Sequence, residues 1–524
     1  MTACLRLPTS PSKAKPNIIR KLGGLEQYES AIQTLRFYGN TMVACRYLIP
    51  NAIAYPASHA EVAKSLEIAI AQTVLDHAEL RIGMIRETSS SPAWVHLDHV
   101  DLDYHIDWRV IDASADLEQV LQEVIHQQTD VFYSDFASRP GWKVVVLRKE
   151  GSNALDVLFG FNHANADGTG GKIFHEDLLQ HLGTPQSKET DLPLENHILR
   201  IPATAPPLAS PIEKLAKLPI SPKFALSTLW HELKPAFLQG KAESQYKAAW
   251  APISALPYRS QFRHFHVPHH QLQKILAACR AHQTTLTGLF HALLIASLAK
   301  RLDATQAPAL TSTTAMNMRR HVAPSSASSA DDNVDIHRCI GNYVSVLEHA
   351  FDPPAVSAFR TALAKDGGGG GVDADASPAL LDLIWRSATR VRAELQARLD
   401  MGLRDDMLGL MRFVPDWRQQ FRDYAGKPRR HAVCVTNLGV IDGRPPPTTM
   451  TMTSDPEKGT SWRIERATFP MAAEVTASAM TLCAVAVKGG ELTMGLVWQD
   501  CVLDVEFCEG VMEDLERWMQ YLAV

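Results

Sequence analysis

Six prolines fall between residues 201 and 222, in the stretch IPATAPPLASPIEKLAKLPISP. Proline fixes φ and removes a backbone donor, so this stretch reads as a connector through which no helix or strand is expected to run. The chain must therefore pack something on each side of it. With 524 residues and 46% hydrophobic content there is enough apolar material for more than one core. On the N-terminal side helix and strand patterns alternate. Leu25, Tyr28, Ile32 and Leu35 share one helical face. RYLIPNAIAY and YHIDWRVI read as strands, HAEVAKSLEIAIAQTVLDHAELR and DLEQVLQEVIHQQTD as amphipathic helices. WKVVVLR is almost continuously apolar, as in a strand covered on both faces, and ALDVLFGFNH follows it as a further strand. On the C-terminal side RHFHV, ALTSTTAMNMRR, IGNYVSVLEHAF, HAVCVTNLGVID and a hairpin turning at Lys488-Gly489-Gly490 read as strands, again with helices between them.

This order implies a layered α/β architecture repeated in two lobes. The expected division is a polar leader over 1–20, an N-terminal lobe over 21–200, a proline-rich crossover over 201–260 and a C-terminal lobe over 261–524. Flexible inserts are expected near 322–335 and 366–378, the latter around the low-complexity run GGGGG.

Several functions are disfavoured at once. A net charge of -5 with 21% charged residues supplies no basic field for nucleic acid. The eight cysteines are scattered without a CxxC pair, so reduced thiols are expected, with neither a disulfide framework nor a bound metal. The start lacks the apolar core of a signal peptide. LTGLFHALLIASLA and ASAMTLCAVAV fall short of the roughly 20 residues a membrane span needs. A cytoplasmic protein without a transmembrane segment is the expectation. GxSxG and HExxH motifs are absent, and GTGGKI lacks the spacing of a phosphate loop.

FGFNHANADGTGG, residues 159–171, carries the strongest chemical signal. His163 stands where an apolar strand gives way to a loop, a place where a rigid sheet presents reactive groups. Imidazole, with an ordinary pKa of about 6.5, can take and return a proton near neutrality. Asp167 in the same loop can fix the loop through an ion pair. Gly168 and the glycines after it let the backbone turn and approach closely. His99/Asp103 and His126/Asp130 repeat the HxxxD spacing without a following glycine. About 0.1 HxxxDG or HxxxEG strings are expected by chance in a chain of this make-up.

NHANADG resembles the HxxxDG signature of the CoA-dependent acyltransferase superfamily, which includes chloramphenicol acetyltransferase, condensation domains of peptide synthetases and fungal alcohol acetyltransferases. LDHAELRIGM, RPGWKVVVL and IGNYVSV resemble condensation-domain stretches in the same order. VTNLGVID and GGLEQYESAIQTLRFYGN are similar to alcohol acetyltransferases. The resemblance covers roughly residues 20–520. It implies two chloramphenicol-acetyltransferase-like lobes, mixed sheets with covering helices, with an active-site tunnel between them. It implies an acyltransferase that binds no resident cofactor and takes acetyl-CoA or another acyl-CoA as co-substrate, with a small-molecule alcohol as acceptor. His163 would be the general base, Asp167 an orienting residue and Arg81 its ion-pair partner. Thr436 and Asn437, then Asn342, are the candidates for the oxyanion or tunnel wall. Asn317 and Arg319, with Met318 between them, are the candidates for the CoA or acceptor side. A carrier-tethered donor, as in condensation domains, and an amine acceptor are the alternatives. Asn162 stands where condensation domains carry an additional histidine, and no carrier or adenylation sequence adjoins. A two-lobed chain of this length is expected to work as a monomer.

Overall fold

The computed structural model describes residues 16–54, 59–184, 192–233, 248, 250–254, 259–322, 334–366, 377–445 and 461–523. Two sheets organise it. The first has five strands in the order Arg463–Thr468, Thr41–Leu48, Ala154–Phe161, Trp142–Lys149, Ile106–Ile111. All neighbours are antiparallel except the last pair. All eight residues of Ala154–Phe161 are buried, because the strand is central and both of its faces are covered. The second sheet has six strands in the order Ser260–Val267, Leu492–Gln499, Met480–Val487, Val433–Ile441, Leu310–Asn317, Val344–Phe351. Val433–Ile441 lies parallel to both of its neighbours, and the other pairs are antiparallel. The hairpin between Met480–Val487 and Leu492–Gln499 turns through Gly489 at φ 74°, which glycine adopts without strain.

The helix Gly168–Leu182 lies on the first sheet, with Phe174 stacked on Phe159 at a ring separation of 3.8 Å. LTGLFHALLIASLA, the longest apolar run, becomes the helix Leu286–Arg301, in which every residue from Gly288 to Ala299 is buried. Its apolarity all round reflects neighbours on every side. Among the described residues no helix is long and apolar enough to cross a membrane.

Three boundaries differ from the expectation. The leader reading extends too far, because Ile18–Lys21 is a strand paired with Ala93–His96; residues 1–15 lie outside the described residues. The connector holds a helical turn at Ile212–Leu215, set in after Pro211, and the helix Pro222–Leu233, which begins on a proline. The inserts expected near 322–335 and 366–378 fall mostly on 323–333 and 367–376, which lie outside the described residues. Most consequentially, Arg463–Thr468 comes from the C-terminal half yet completes the first sheet at its edge.

Two buried histidines tie this scaffold to pH. His175 Nε2 donates to the Val43 carbonyl while Nδ1 accepts from the Tyr47 hydroxyl, and His105 Nδ1 donates to the Trp142 carbonyl. Burial holds both at about 4, below the ordinary imidazole range. Because the folded protein favours the neutral ring, their contribution is present above pH ~6.5 and lost as pH falls toward about 4. The thermal unfolding midpoint is expected to drop steeply across that window, and less steeply in His175→Gln; identical pH slopes would refute the assignment.

Candidate active site

The site begins at the end of the central strand Ala154–Phe161. Asn162 N–H donates to the Gly141 carbonyl at 2.7 Å, and its side-chain Oδ1 accepts from Ala164 N–H at 2.9 Å, so the chain turns at once. Asn165 Nδ2 donates to the Glu79 carbonyl at 3.1 Å, pinning the loop from below. Asp167 then caps the helix Gly168–Leu182, accepting from Gly170 N–H at 2.8 Å. Gly170 packs directly on the backbone of Ile340, where an added Cβ would overlap the Ile340 carbonyl oxygen. Gly170→Ala is accordingly expected to cost about 2–3 kcal/mol in denaturant unfolding, since backbone must shift; a change under about 0.5 kcal/mol would show the contact to be loose.

Asp167 is fully buried and paired with Arg319. Its Oδ2 lies 2.7 Å from Arg319 Nη1 and its Oδ1 lies 3.0 Å from Arg319 Nη2, a bidentate pair. Tyr343 N–H adds a further hydrogen bond at 3.0 Å. The Arg319 guanidinium also donates to the carbonyls of Cys339, Ile340 and Gly341 and lies over the Tyr343 ring. These bonds hold residues 339–341 off the sheet. The strand expected from Ile340 therefore starts only at Val344, and Asn342 is left in the turn before it.

The partner expected for Asp167 is thus corrected. Arg81 lies at the end of the turn Ala78–Leu80, beneath the histidine loop, and donates instead to the carbonyl of Pro206. Arg319, assigned from sequence to the CoA or acceptor side, is only 2% exposed and engaged with Asp167, Asn317 Oδ1 and backbone carbonyls. Met318 beside it is buried.

His163 stands at the wall of a cavity of about 280 Å³ lined by both halves of the chain. Gly168, Asn317, Thr436 and Asn437 also line it. Asn317 Nδ2 donates to Thr169 Oγ1 at 3.2 Å, a link between the two halves. Thr436 and Asn437 precede an irregularity in the pairing of Val433–Ile441, with Gly439 at φ 72°. Asn437 is occupied, donating to Thr287 Oγ1 and accepting from Gly439 N–H. The Thr436 side chain carries no hydrogen bond to another described residue. Asn342 sits behind the histidine: its Nδ2 is 2.8 Å from His163 Nδ1 and donates to the His163 carbonyl at 3.0 Å.

Tyr28, Glu29, Tyr38 and Glu474, none of them a site candidate from sequence, also line the cavity. Glu29 Oε1 lies 3.5 Å from His163 Nδ1, and the Tyr38 ring centre lies 5.8 Å from that of His163. Glu474 accepts from the Tyr28 hydroxyl at 3.0 Å and from Thr476 at 3.1 Å. Burial, reinforced by Glu474, pushes the Glu29 carboxyl well above the usual carboxylate range; burial pushes Glu474 up as well. Burial lowers His163, with Asp167 and Glu474 pulling the other way. The ring is therefore neutral near pH 7 and able to accept a proton. One signal for Glu29 was available. It shares the helical face of Leu25 and Ile32, where a carboxylate is out of place unless it has a task.

Two lobes, each a mixed sheet with covering helices, enclose a tunnel-like cavity with a strand-end histidine at its wall, the two-lobed fold that the resemblance implied. The trichothecene 15-O-acetyltransferase of Fusarium sporotrichioides superposes with a TM-score of 0.66 at 12% identity, over 96% of this chain and 94% of that one. The first condensation domain of the CDA synthetase superposes with a TM-score of 0.56 at 12% identity, over 96% of both chains. Residues 104–334 match the family model for alcohol acetyltransferase. A probable alcohol acetyltransferase of Fusarium pseudograminearum (strain CS3096) is 25% identical, covering 96% of this chain and 95% of its own. In sequence the chain is thus similar to alcohol acetyltransferases, and in fold to an acetyltransferase and a condensation domain.

Proposed function

We propose that the chain transfers an acetyl group from acetyl-CoA to a hydroxyl of a small or medium-sized metabolite, with His163 as general base. The observation that carries this reading is the placement of His163 at the wall of a cavity that both halves line, where burial favours the neutral imidazole. In the reaction, His163 Nε2 takes the proton of the acceptor hydroxyl as its oxygen attacks the thioester carbonyl. The tetrahedral intermediate collapses, the C–S bond breaks, and the CoA thiolate takes the proton back from the ring. No covalent acyl-enzyme is formed. The oxyanion needs a donor arranged in advance. Thr436 suits it best of the sequence candidates, because Asn437 and Asn342 already have partners. On this reading the lobe over 21–200 supplies the base and the lobe over 261–524 supplies the oxyanion donor, with Asn317 on the CoA side.

The deciding experiment measures free CoA released from acetyl-CoA by the purified chain with a panel of alcohols and amines. Release that depends on an alcohol supports the proposal. Release with amines alone makes the enzyme an N-acyltransferase. Silence with acetyl-CoA, but turnover of an acetyl group tethered to a carrier protein, makes it a condensation-type enzyme. Thr436→Val is expected to lower kcat about 10²-fold while the acceptor KM moves less than threefold. An unchanged kcat removes Thr436 from the oxyanion site.

A further inference from the structure

Every buried aspartate among the described residues is paired with an arginine or lysine, as Asp156 is with Arg46 and Asp514 with Lys300 and Arg301. A charge taken out of water is tolerated where an opposite charge compensates it. Glu29 and Glu474 break this pattern. Both line the cavity of His163, and no lysine or arginine is among the described residues lining it. Glu29, only 8% exposed, has Asn342 Nδ2 at 3.4 Å and His163 Nδ1 at 3.5 Å from its Oε1, an amide and a ring that burial keeps neutral. Glu474 Oε1 accepts from the hydroxyls of Tyr28 and Thr476, neither of them a charge. Arg429 acts on Glu474 from a distance, its own donors directed to the Val475 carbonyl and Gln499 Oε1.

Without a counter-charge the two carboxyls favour their protonated forms: burial raises both, and Glu474 raises Glu29 further. What the pair lacks is a cation. Three aromatic rings, of Tyr28, Tyr38 and Phe469, line the same space. The face of such a ring attracts a cation placed within about 6 Å of its centre. Carboxyl groups and aromatic faces in a cavity without a basic side chain suit the ammonium group of a ligand. A carboxylate or phosphate on the ligand would meet two acids and no cation.

We propose that the cavity takes an acceptor carrying a basic nitrogen: an apolar amino alcohol whose ammonium sits among Glu29, Glu474 and the aromatic rings while its hydroxyl reaches His163. This deepens the reading of the chain as an O-acyltransferase and rests on it for the fate of the hydroxyl. As the ammonium docks, a carboxyl O–H bond breaks and its proton leaves to the buffer. The carboxylate that remains pairs with the ammonium. A tertiary nitrogen in this place forms no amide, so transfer goes to oxygen.

Three probes on one frame test this. At neutral pH para-(dimethylaminomethyl)benzyl alcohol is a cation, para-isobutylbenzyl alcohol is its uncharged isostere, and para-(hydroxymethyl)phenylacetate is an anion. Binding of each to the full native chain is measured by titration calorimetry at neutral pH, in two buffers of different ionisation enthalpy. The cation is expected to bind at least ~10-fold more tightly than the isostere, and the anion least tightly. Proton release is expected with the cation and not with the isostere. Equal affinity for cation and isostere overturns the proposal, and so does tight binding of the cation without proton release. In the double variant Glu29→Gln, Glu474→Gln the advantage of the cation is expected to shrink to less than about threefold. An advantage that persists there overturns the assignment to these carboxyls. Should the double variant fail to fold, the native order of affinities and the proton release decide. CoA release from acetyl-CoA is then followed with the same probes. Preferential binding of the cation without CoA release counts against the acetyl-transfer reading alone. Acetylation of the isostere as efficient as that of the cation overturns the acceptor assignment and leaves the acetyl-transfer reading standing.

Discussion

His163→Ala is expected to lower kcat for acyl transfer by about 10²–10⁴-fold, the range supplied by a positioned general base, with KM for both substrates changed only a few-fold. The expectation follows from where the ring sits. Its backbone is held by the turn after the central strand, and Asn342 continues to hold the His163 carbonyl when the imidazole is gone. The cavity walls come from many other residues, so substrate binding should survive while proton transfer does not. Steady-state kinetics of the native and variant proteins at equal acetyl-CoA concentration decide the matter. Activity within tenfold of native would place the base elsewhere, with Glu29 and Glu474 the carboxyl groups in the same cavity.

The second large effect is on stability. Arg319→Ala is expected to cost about 3–5 kcal/mol, the usual consequence of leaving one member of a buried ion pair alone. Asp167 is fully buried, and two of its four hydrogen bonds come from this guanidinium. The carbonyls of 339–341 lose their shared donor at the same time, which loosens the turn carrying Asn342. Denaturant unfolding should show the loss, and acyl transfer should fall with it. Asp167→Asn combined with Arg319→Met is expected to recover part of the stability, because no bare charge is then left inside. Arg81→Ala is expected to cost distinctly less. If Arg81→Ala and Arg319→Ala were equally harmful, the ion pair would not be the dominant interaction.

What the sequence allowed to be read depends on the range of the interaction. Strands such as WKVVVLR and the buried helix LTGLFHALLIASLA declare themselves through local periodicity. The loop around His163 does so as well, because strand, histidine, aspartate and glycines are contiguous. The Asp167–Arg319 pair spans 152 positions, and local spacing has no means of choosing Arg319 over Arg81. Asn342 was assigned to a strand because IGNYVSV alternates acceptably. Arg319 removes its first residues from the ladder, a tertiary effect that overrides local propensity. Glu29 and Glu474 meet His163 from opposite ends of the chain, and only folding brings them to the same cavity.

The strand Arg463–Thr468 makes the two halves inseparable in a sense that goes beyond packing. It leaves the C-terminal half, pairs along Thr41–Leu48, and the chain returns to finish the second sheet. A fragment ending near residue 260 would expose Thr41–Leu48 as a bare sheet edge, open to pairing with other chains. The molecule therefore behaves as a stitched seam rather than a hinge. An engineered chimaera that exchanges one half must carry this strand with the half it completes, not with the half that encodes it.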